Sequence, residues 1–298
     1  MVFKELNILD YDKYTKFFES NELYKDYYGA ELNFKVIFLW KHYQKLENYI
    51  SNNYVIIKGQ TKHHTFFLPP LANSKKTFYN GIEDIKNYCK EFNLPIIIKY
   101  LNKTLKDELL KNCSVKEIAA DRNAFEYIYL TEEIIKYEGK KFHDKKNHLH
   151  QFERYGFVVK DYEDKYYNKV LDVLDYWNKH HGTSEFEDDA IKFSLKYYNE
   201  LNIKCELYTL DDKPCAFVIG TICENNMGVL LFEKADVSFK GIYAGINNCF
   251  VKNNFAGCKY VNMQEDMGDI GLRKSKTSYN PVFFEEKYNV ILNQNEKL

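Results

Sequence analysis

Arginine is nearly missing from this chain. Only Arg122, Arg154 and Arg273 stand among 42 basic residues, and with abundant lysine, asparagine and tyrosine this reads as a bias of coding composition. Where such a chain still uses arginine, a two-pronged donor is expected to be needed, because lysine offers only a point charge. Proline (5) and glycine (13) are scarce, so no flexible linker is written in and boundaries must come from periodicity. No stretch approaches the roughly 18 apolar residues of a membrane span, and mean hydropathy is −0.53. The N-terminus shows no charged-then-apolar leader, so a cytoplasmic protein without stable membrane insertion is expected. The seven cysteines are odd in number and include no Cys-x-x-Cys pair. Zinc sites use closely spaced thiolates and secreted frameworks pair theirs, so reduced core cysteines and no metal are expected. Neither sign of charge dominates, with 42 bases against 43 acids and a net charge of −1. That excludes a surface given over as a whole to nucleic acid and leaves room for a local basic patch.

What is present is apolar periodicity over 298 residues, enough for one large or two medium domains with their own cores. Tyr11–Ser20 and Phe34–Trp40 read as short helices, Tyr54–Lys58 and His64–Leu68 as strands, and Ile82–Phe92 as an amphipathic helix. Pro95–Tyr100 is a buried strand, Thr104–Cys113 a helix and Ala124–Leu130 a strand. The second half repeats this order. Lys165–His180 and Glu187–Leu201 read as helices, the latter entered through a Thr183-Ser184 cap. Ile203–Leu210, Pro214–Cys223 and Met227–Lys234 form a meander joined by tight turns, followed by a helix at Ile242–Asn253 and a strand at Lys259–Gln264. The expectation is an α/β (α+β) chain of two similar units with mixed, mainly antiparallel sheets: residues 1–135, a connector at 136–160, and 161–298. The order of elements is that of the GNAT acyltransferase plan, which by itself says little about chemistry.

The connector is the first motif. From Lys140 to Arg154 there are five Lys or Arg and three His against two acids. Phe142, Leu149, Phe152 and Tyr155 fall on one helical stripe, and Lys141, Lys145 and His148 on another. Such a helix would dock its aromatics and present Lys140, Lys141, Lys145, Lys146 and Arg154 to phosphates; an ordinary solvated face is the plain alternative. The second motif follows the last strand. In Glu265-Asp266-Met267-Gly268-Asp269-Ile270-Gly271-Leu272-Arg273-Lys274-Ser275-Lys276 three acids meet three bases across two glycines. Loops at strand ends favour ligand sites; carboxylates there would hold an ammonium, and the bases a phosphate or carboxylate.

Several runs together resemble a known family. They are Asp121-Arg122-Asn123-x-Phe125-Glu126-Tyr127-Ile128-Tyr129, Gly139-Lys140-Lys141-Phe142-His143-x-Lys145-Lys146-Asn147, Glu233-Lys234-Ala235, Gly241-x-Tyr243-x-x-Ile246-Asn247, and Asn262-x-x-Glu265-Asp266-x-Gly268-x-x-Gly271-Leu272-Arg273-x-x-Lys276-x-Ser278-Tyr279-x-Pro281. In these the chain is similar to the C-terminal domain of phosphatidylglycerol lysyltransferases, the bacterial family labelled DUF2156, over roughly Asp121 to Tyr288. The resemblance implies a tandem GNAT-like pair related to Fem-type aminoacyltransferases, which move an amino acid from aminoacyl-tRNA to an amine or hydroxyl. It implies that the connector meets tRNA and that the Glu265–Tyr279 loop holds the aminoacyl group, with Asn262, Gly268, Gly271, Lys274 and Asn247 around the substrate. The lipid-modifying members carry a membrane-embedded portion with no counterpart in this sequence, so a phosphatidylglycerol acceptor is not expected.

On this reading Glu265 and Asp266 hold an ammonium, Arg273 and Lys276 face the donor's negative charge or the developing oxyanion, and Tyr279 relays a proton or packs. Glu233 would be a general base on an incoming amine, or else a member of a salt bridge near Lys234. No additional cofactor is required beyond aminoacyl-tRNA as donor; acetyl-CoA is the alternative. CoA enzymes cradle pyrophosphate on N–H groups at a helix N-terminus; here Gly241 and Gly245 are kept but Tyr243 stands between them, which argues against tight CoA binding. The acceptor stays open among a small amine, a peptide and a lipid headgroup. A non-catalytic ligand- or RNA-binding protein on the same scaffold is the remaining alternative, given aromatics able to stack on bases.

Overall fold

A computed structural model describes residues 1–294. The chain runs β1 Lys4–Glu5, α1 Tyr11–Ser20, α2 Phe34–Leu39, β2 Glu47–Ile50, β3 Tyr54–Gln60, β4 Thr65–Phe67, β5 Leu71–Ala72, α3 Lys75–Glu91, β6 Ile96–Leu101, α4 Lys103–Asn112 and β7 Val115–Ala120. It continues with β8 Glu126–Leu130, α5 Thr131–Lys136, α6 His143–Glu153, β9 Val158–Asp161, α7 Tyr167–His181, α8 Glu185–Lys196, β10 Lys204–Leu210, β11 Lys213–Ile222 and β12 Gly228–Ala235. The last elements are α9 Ile242–Asn254, β13 Tyr260–Asn262, α10 Ile270–Thr277, β14 Phe283–Glu285 and β15 Tyr288–Leu292.

Two sheets result. The first has the order β1-β2-β3-β4-β6-β15-β7 with β5 on β3, and the second β14-β8-β13-β12-β11-β10-β9. In each, the last strand of a meander runs parallel to the strand beyond the next helix: Phe67 opposite Ile98 in the first, Gly228 opposite Val261 in the second. That shared plan, with antiparallel neighbours on either side, gives two mixed α/β units of GNAT type.

Local chemistry accounts for the element ends. Ser74 and Thr77 form a capping box that starts α3 seven residues earlier than the apolar period alone indicates. Ser184 accepts from the Glu187 N–H at 3.4 Å to start α8. Asp211 and Asp212 both adopt left-handed φ, +48° and +62°, which closes a two-residue turn between β10 and β11. None of the seven cysteines is in a disulfide, and six are buried. Among the described residues no helix is long and apolar enough to cross a membrane.

The compact units follow the sheets rather than a cut at one point. The first comprises Met1–Glu126, Glu265–Gly268 and the stretch from Phe284 on; the second comprises Tyr127–Gln264 and Asp269–Phe283. The expected stretches 1–135, 136–160 and 161–298 divide the chain differently: residues 127–135 fall here in the second unit, and Glu265–Gly268 in the first. The connector helix α6 belongs to the second unit, and β15, which carried no expectation, lies in the interior of the first sheet between β6 and β7. The segment after β13, read as a loop, holds α10; Asp269 caps it by accepting from the Leu272 N–H at 2.6 Å. None of α10's residues is buried, so the helix has no apolar period to betray it.

Candidate active site

The site of the second unit starts from the pleat of β12, which sends Glu233 and Lys234 to opposite faces. Lys234 is buried; its Nζ lies 2.8 Å from Glu187 and 3.5 Å from the centre of the Trp177 ring. Glu233 turns the other way, to α9, where its Oε1 accepts from Asn247 Nδ2 at 3.2 Å. The salt bridge near Lys234 is therefore made with Glu187. Glu233 is half-buried as a residue, and protein crowds its carboxyl. That desolvation pushes its pKa up to about 7, against the opposing pull of Asn247 and of the Lys276 and Lys145 charges.

Tyr279 forms the buried floor, with its ring centroid 6.4 Å from Tyr129 and 6.2 Å from Tyr137. Burial holds its hydroxyl far above the ordinary tyrosine range, so it stays neutral and fills space. Lys145 places its Nζ 3.4 Å from the centre of that ring. Desolvation lowers the Lys145 pKa to about 8, with Glu233 and Asp144 pulling the other way. Lys145 thus leaves the basic surface on which the sequence set it. The signal was present: Phe142, Lys145, Leu149 and Phe152 are spaced three, four and three apart, a single helical stripe. Tyr129 Oη donates to the Lys276 carbonyl at 2.7 Å and ties α10 to this floor.

The charged run after β13 is divided among three roles. Glu265, Asp266 and Gly268 belong to the first unit. Asp266 is fully buried and accepts from Arg122 Nη1 at 3.1 Å and from the Gly268 N–H at 2.9 Å. One of the three arginines is accordingly used on a buried carboxylate, flanked by the Phe125 and Phe284 rings. Asp269 is the cap of α10, and Gly271, Arg273, Lys274 and Lys276 ride on that helix in the second unit. Sequence reasoning quoted Glu126 in a motif without giving it a role and missed Lys287; in the first unit buried Lys287 sits 3.1 Å from Glu126 and pairs also with Glu31. Lys287 stays protonated because these carboxylates surround it.

Asn262 is buried, its Oδ1 accepting from the Gln264 N–H at 2.6 Å. Gln264, also unforeseen, donates from Nε2 to Leu230 O at 2.7 Å and Leu231 O at 3.0 Å. It spans the gap between β12 and β13 beyond their parallel pairing at Val229 and Asn262.

At the start of α6, Lys140 and Lys141 before the helix and His143 and Lys146 on it line a cavity of about 640 Å³ with Gly139 and Asp144. Lys141 also pairs with Glu133 at 2.7 Å, and Arg154 is exposed just past the helix end. The two glycines at the start of α9 serve the approach of α6. A Cβ on Gly241, at φ +81°, would stand 2.2 Å from the His148 carbonyl oxygen, and one on Gly245 would stand 2.0 Å from the Phe152 ring. Among the described residues no group of His, Cys, Asp and Glu is placed to hold a metal ion.

The family model described as "Phosphatidylglycerol lysyltransferase, C-terminal" matches residues 24–291. A search of curated proteins found no match. Among solved structures, a conserved protein of unknown function from Bacteroides thetaiotaomicron superposes with a TM-score of 0.87 at 24% identity, covering 98% of this chain and 99% of that one. FemX superposes at 0.67 with 10% identity, covering 99% and 98%. A tandem GNAT protein from the clavulanic acid biosynthesis pathway does so at 0.51 with 6% identity, covering 100% and 99%. At these identities the likenesses speak for the fold.

Proposed function

Because the chain belongs to the family of phosphatidylglycerol lysyltransferase C-terminal domains, we propose that it is an aminoacyltransferase that takes its aminoacyl group from aminoacyl-tRNA and acts at Glu233. The observation that carries this reading is Glu233 itself: a half-buried residue whose carboxyl is desolvated, bonded to Asn247 and flanked by the charges of two lysines. A carboxyl that titrates near neutrality can take a proton from an incoming nucleophile. An aminoacyl ester is already activated, so positioning and oxyanion stabilisation supply most of the rate. Glu233 accepts the acceptor's proton, the freed lone pair attacks the ester carbonyl carbon, and a lysine faces the oxyanion. Collapse breaks the bond to the ribose oxygen, which leaves with a proton.

The basic cavity at the start of α6 supports a polyanionic donor, since lysines there offer counterion release on meeting phosphates. The packing of α9's first turn against α6 favours it over acyl-CoA, whose pyrophosphate needs converging N–H groups at a helix N-terminus.

Filter retention of aminoacylated bulk tRNA at two salt concentrations tests the reading. Wild type should retain it at low salt, release it at high salt, and lose it in Lys140, Lys141, Lys146→Glu. A thermal shift with acetyl-CoA and no retention of tRNA would replace this reading with a CoA-dependent N-acyltransferase.

A further inference from the structure

Asn247 is almost fully buried, and its amide nitrogen has two partners: Glu233 Oε1 at 3.2 Å and Met263 Sδ at 3.6 Å. With Glu233 ionised both partners are acceptors, so the network assigns the nitrogen to this side; turning the amide over would set its oxygen against the carboxylate. The consequence is an Oδ1 acceptor that is buried and has no donor. Buried acceptors are nearly always satisfied, and an exception asks for an explanation. The rest of α9 offers the contrast. Asn248 donates to the Ile134 and Ile135 carbonyls, and Asn253 and Asn254 both donate to Glu206. The unmet acceptor belongs to the same amide that holds the carboxyl of Glu233, a residue that is only half-buried.

We infer that the acceptor molecule at this site is a primary amine, held jointly by Asn247 Oδ1 and the Glu233 carboxylate, and that the product is an amide. The inference rests on the aminoacyl-transfer reading and narrows it. Two acceptors converging on one ligand atom need two donor hydrogens on that atom. An ammonium carries three; a hydroxyl carries one and would leave either Asn247 or Glu233 unmet. Sites built on such hydrogen bonds discriminate strongly against ligands that lack the donor. The surrounding charge is compatible, because Lys145 is turned onto the face of the Tyr279 ring, its Nζ 3.4 Å from the ring centre, so that the ring takes up part of its field.

The step balances. The ammonium gives one proton to Glu233, the amine lone pair forms the N–C bond at the ester carbonyl, and the C–O bond to the ribose breaks. The second nitrogen proton passes to the departing ribose oxygen, and Glu233 releases its own to solvent.

The full chain is titrated with propylamine, 1-propanol and trimethylpropylammonium, the last having the charge without any N–H, and binding is followed by ligand-observed NMR. Propylamine should bind saturably, at least about tenfold tighter than either control. Asn247→Leu and Glu233→Gln should each weaken it by a similar factor; Asn247→Ser serves if the leucine variant loses its circular dichroism spectrum. Equal binding of trimethylpropylammonium, unchanged binding in a folded Asn247 variant, or no saturable propylamine binding because water fills the site would each overturn the inference. The same probes are then offered with aminoacylated bulk tRNA. Amine binding without any aminoacyl propylamide overturns the donor reading and spares the pocket. A base-labile propyl ester in place of the amide overturns the amine inference and spares aminoacyl transfer.

Discussion

Glu233 is held where its charge is poorly solvated, and stability should register this. Its pKa is raised from 4.5 to about 7, so the folded state binds the proton more tightly than the unfolded chain. The resulting stabilisation is complete below pH 4.5 and is lost as pH rises through 7. The groups acting on the carboxyl are Asn247, Lys276 and Lys145, with the hydroxyls of Tyr129, Tyr137, Tyr208, Tyr243 and Tyr279 nearby. Glu233→Gln keeps an acceptor for Asn247 and removes the charge. It should therefore raise the melting temperature at pH 8, by the equivalent of about 1–3 kcal/mol, and by much less at pH 4.5, while abolishing transfer. A variant less stable than wild type at pH 8, or equally shifted at both pH values, would show that the charge costs nothing there. A residue that lowers stability to perform its task is common at working sites.

At the scale of elements, the contact of α6 with α9 is set by two missing side chains. Gly245→Ala would push a methyl into the Phe152 ring, 2.0 Å away, at a cost of about 1–3 kcal/mol for overpacking. Phe152→Leu added to it should recover part of the loss in thermal melts; additive losses would argue against the contact as the cause. This element also measures how far the sequence could be read. Tyr11–Ser20 coincides with α1, and the meander of the second unit falls within one residue of its expected bounds, because apolar periodicity marked both. α10 escaped because nothing on it is buried, and only the Asp269 cap could have announced it. Glu233 and Asn247 were visible through their motifs. The inward turn of Lys145 was written in its stripe with Phe142, Leu149 and Phe152, whereas the bridge made by Gln264 and the unmet oxygen of Asn247 depend on packing between distant segments, which no local pattern carries.

The whole molecule is less divisible than two similar units suggest. β15 pairs with β6 through Val290 opposite Ile98, and with β7 through Val290 opposite Ile118. A fragment of residues 1–126 lacks it, leaving β7 without a partner and β6 as a raw edge. That fragment should show no cooperative unfolding transition in urea, and a peptide of residues 284–294 supplied in trans should restore one. Cooperative unfolding of the fragment alone would show that the strand is dispensable.

The place of β15 also has a meaning in time. On the ribosome the second unit has nearly all its residues while the first, begun earlier, still waits for its interior strand. Synthesis from the N-terminus normally lets the leading domain close first; here the leading sheet stays open until residues 288–292 have emerged. A stop before β15 would release a chain with an unfinished first sheet, which gives quality control a simple sign of incompleteness.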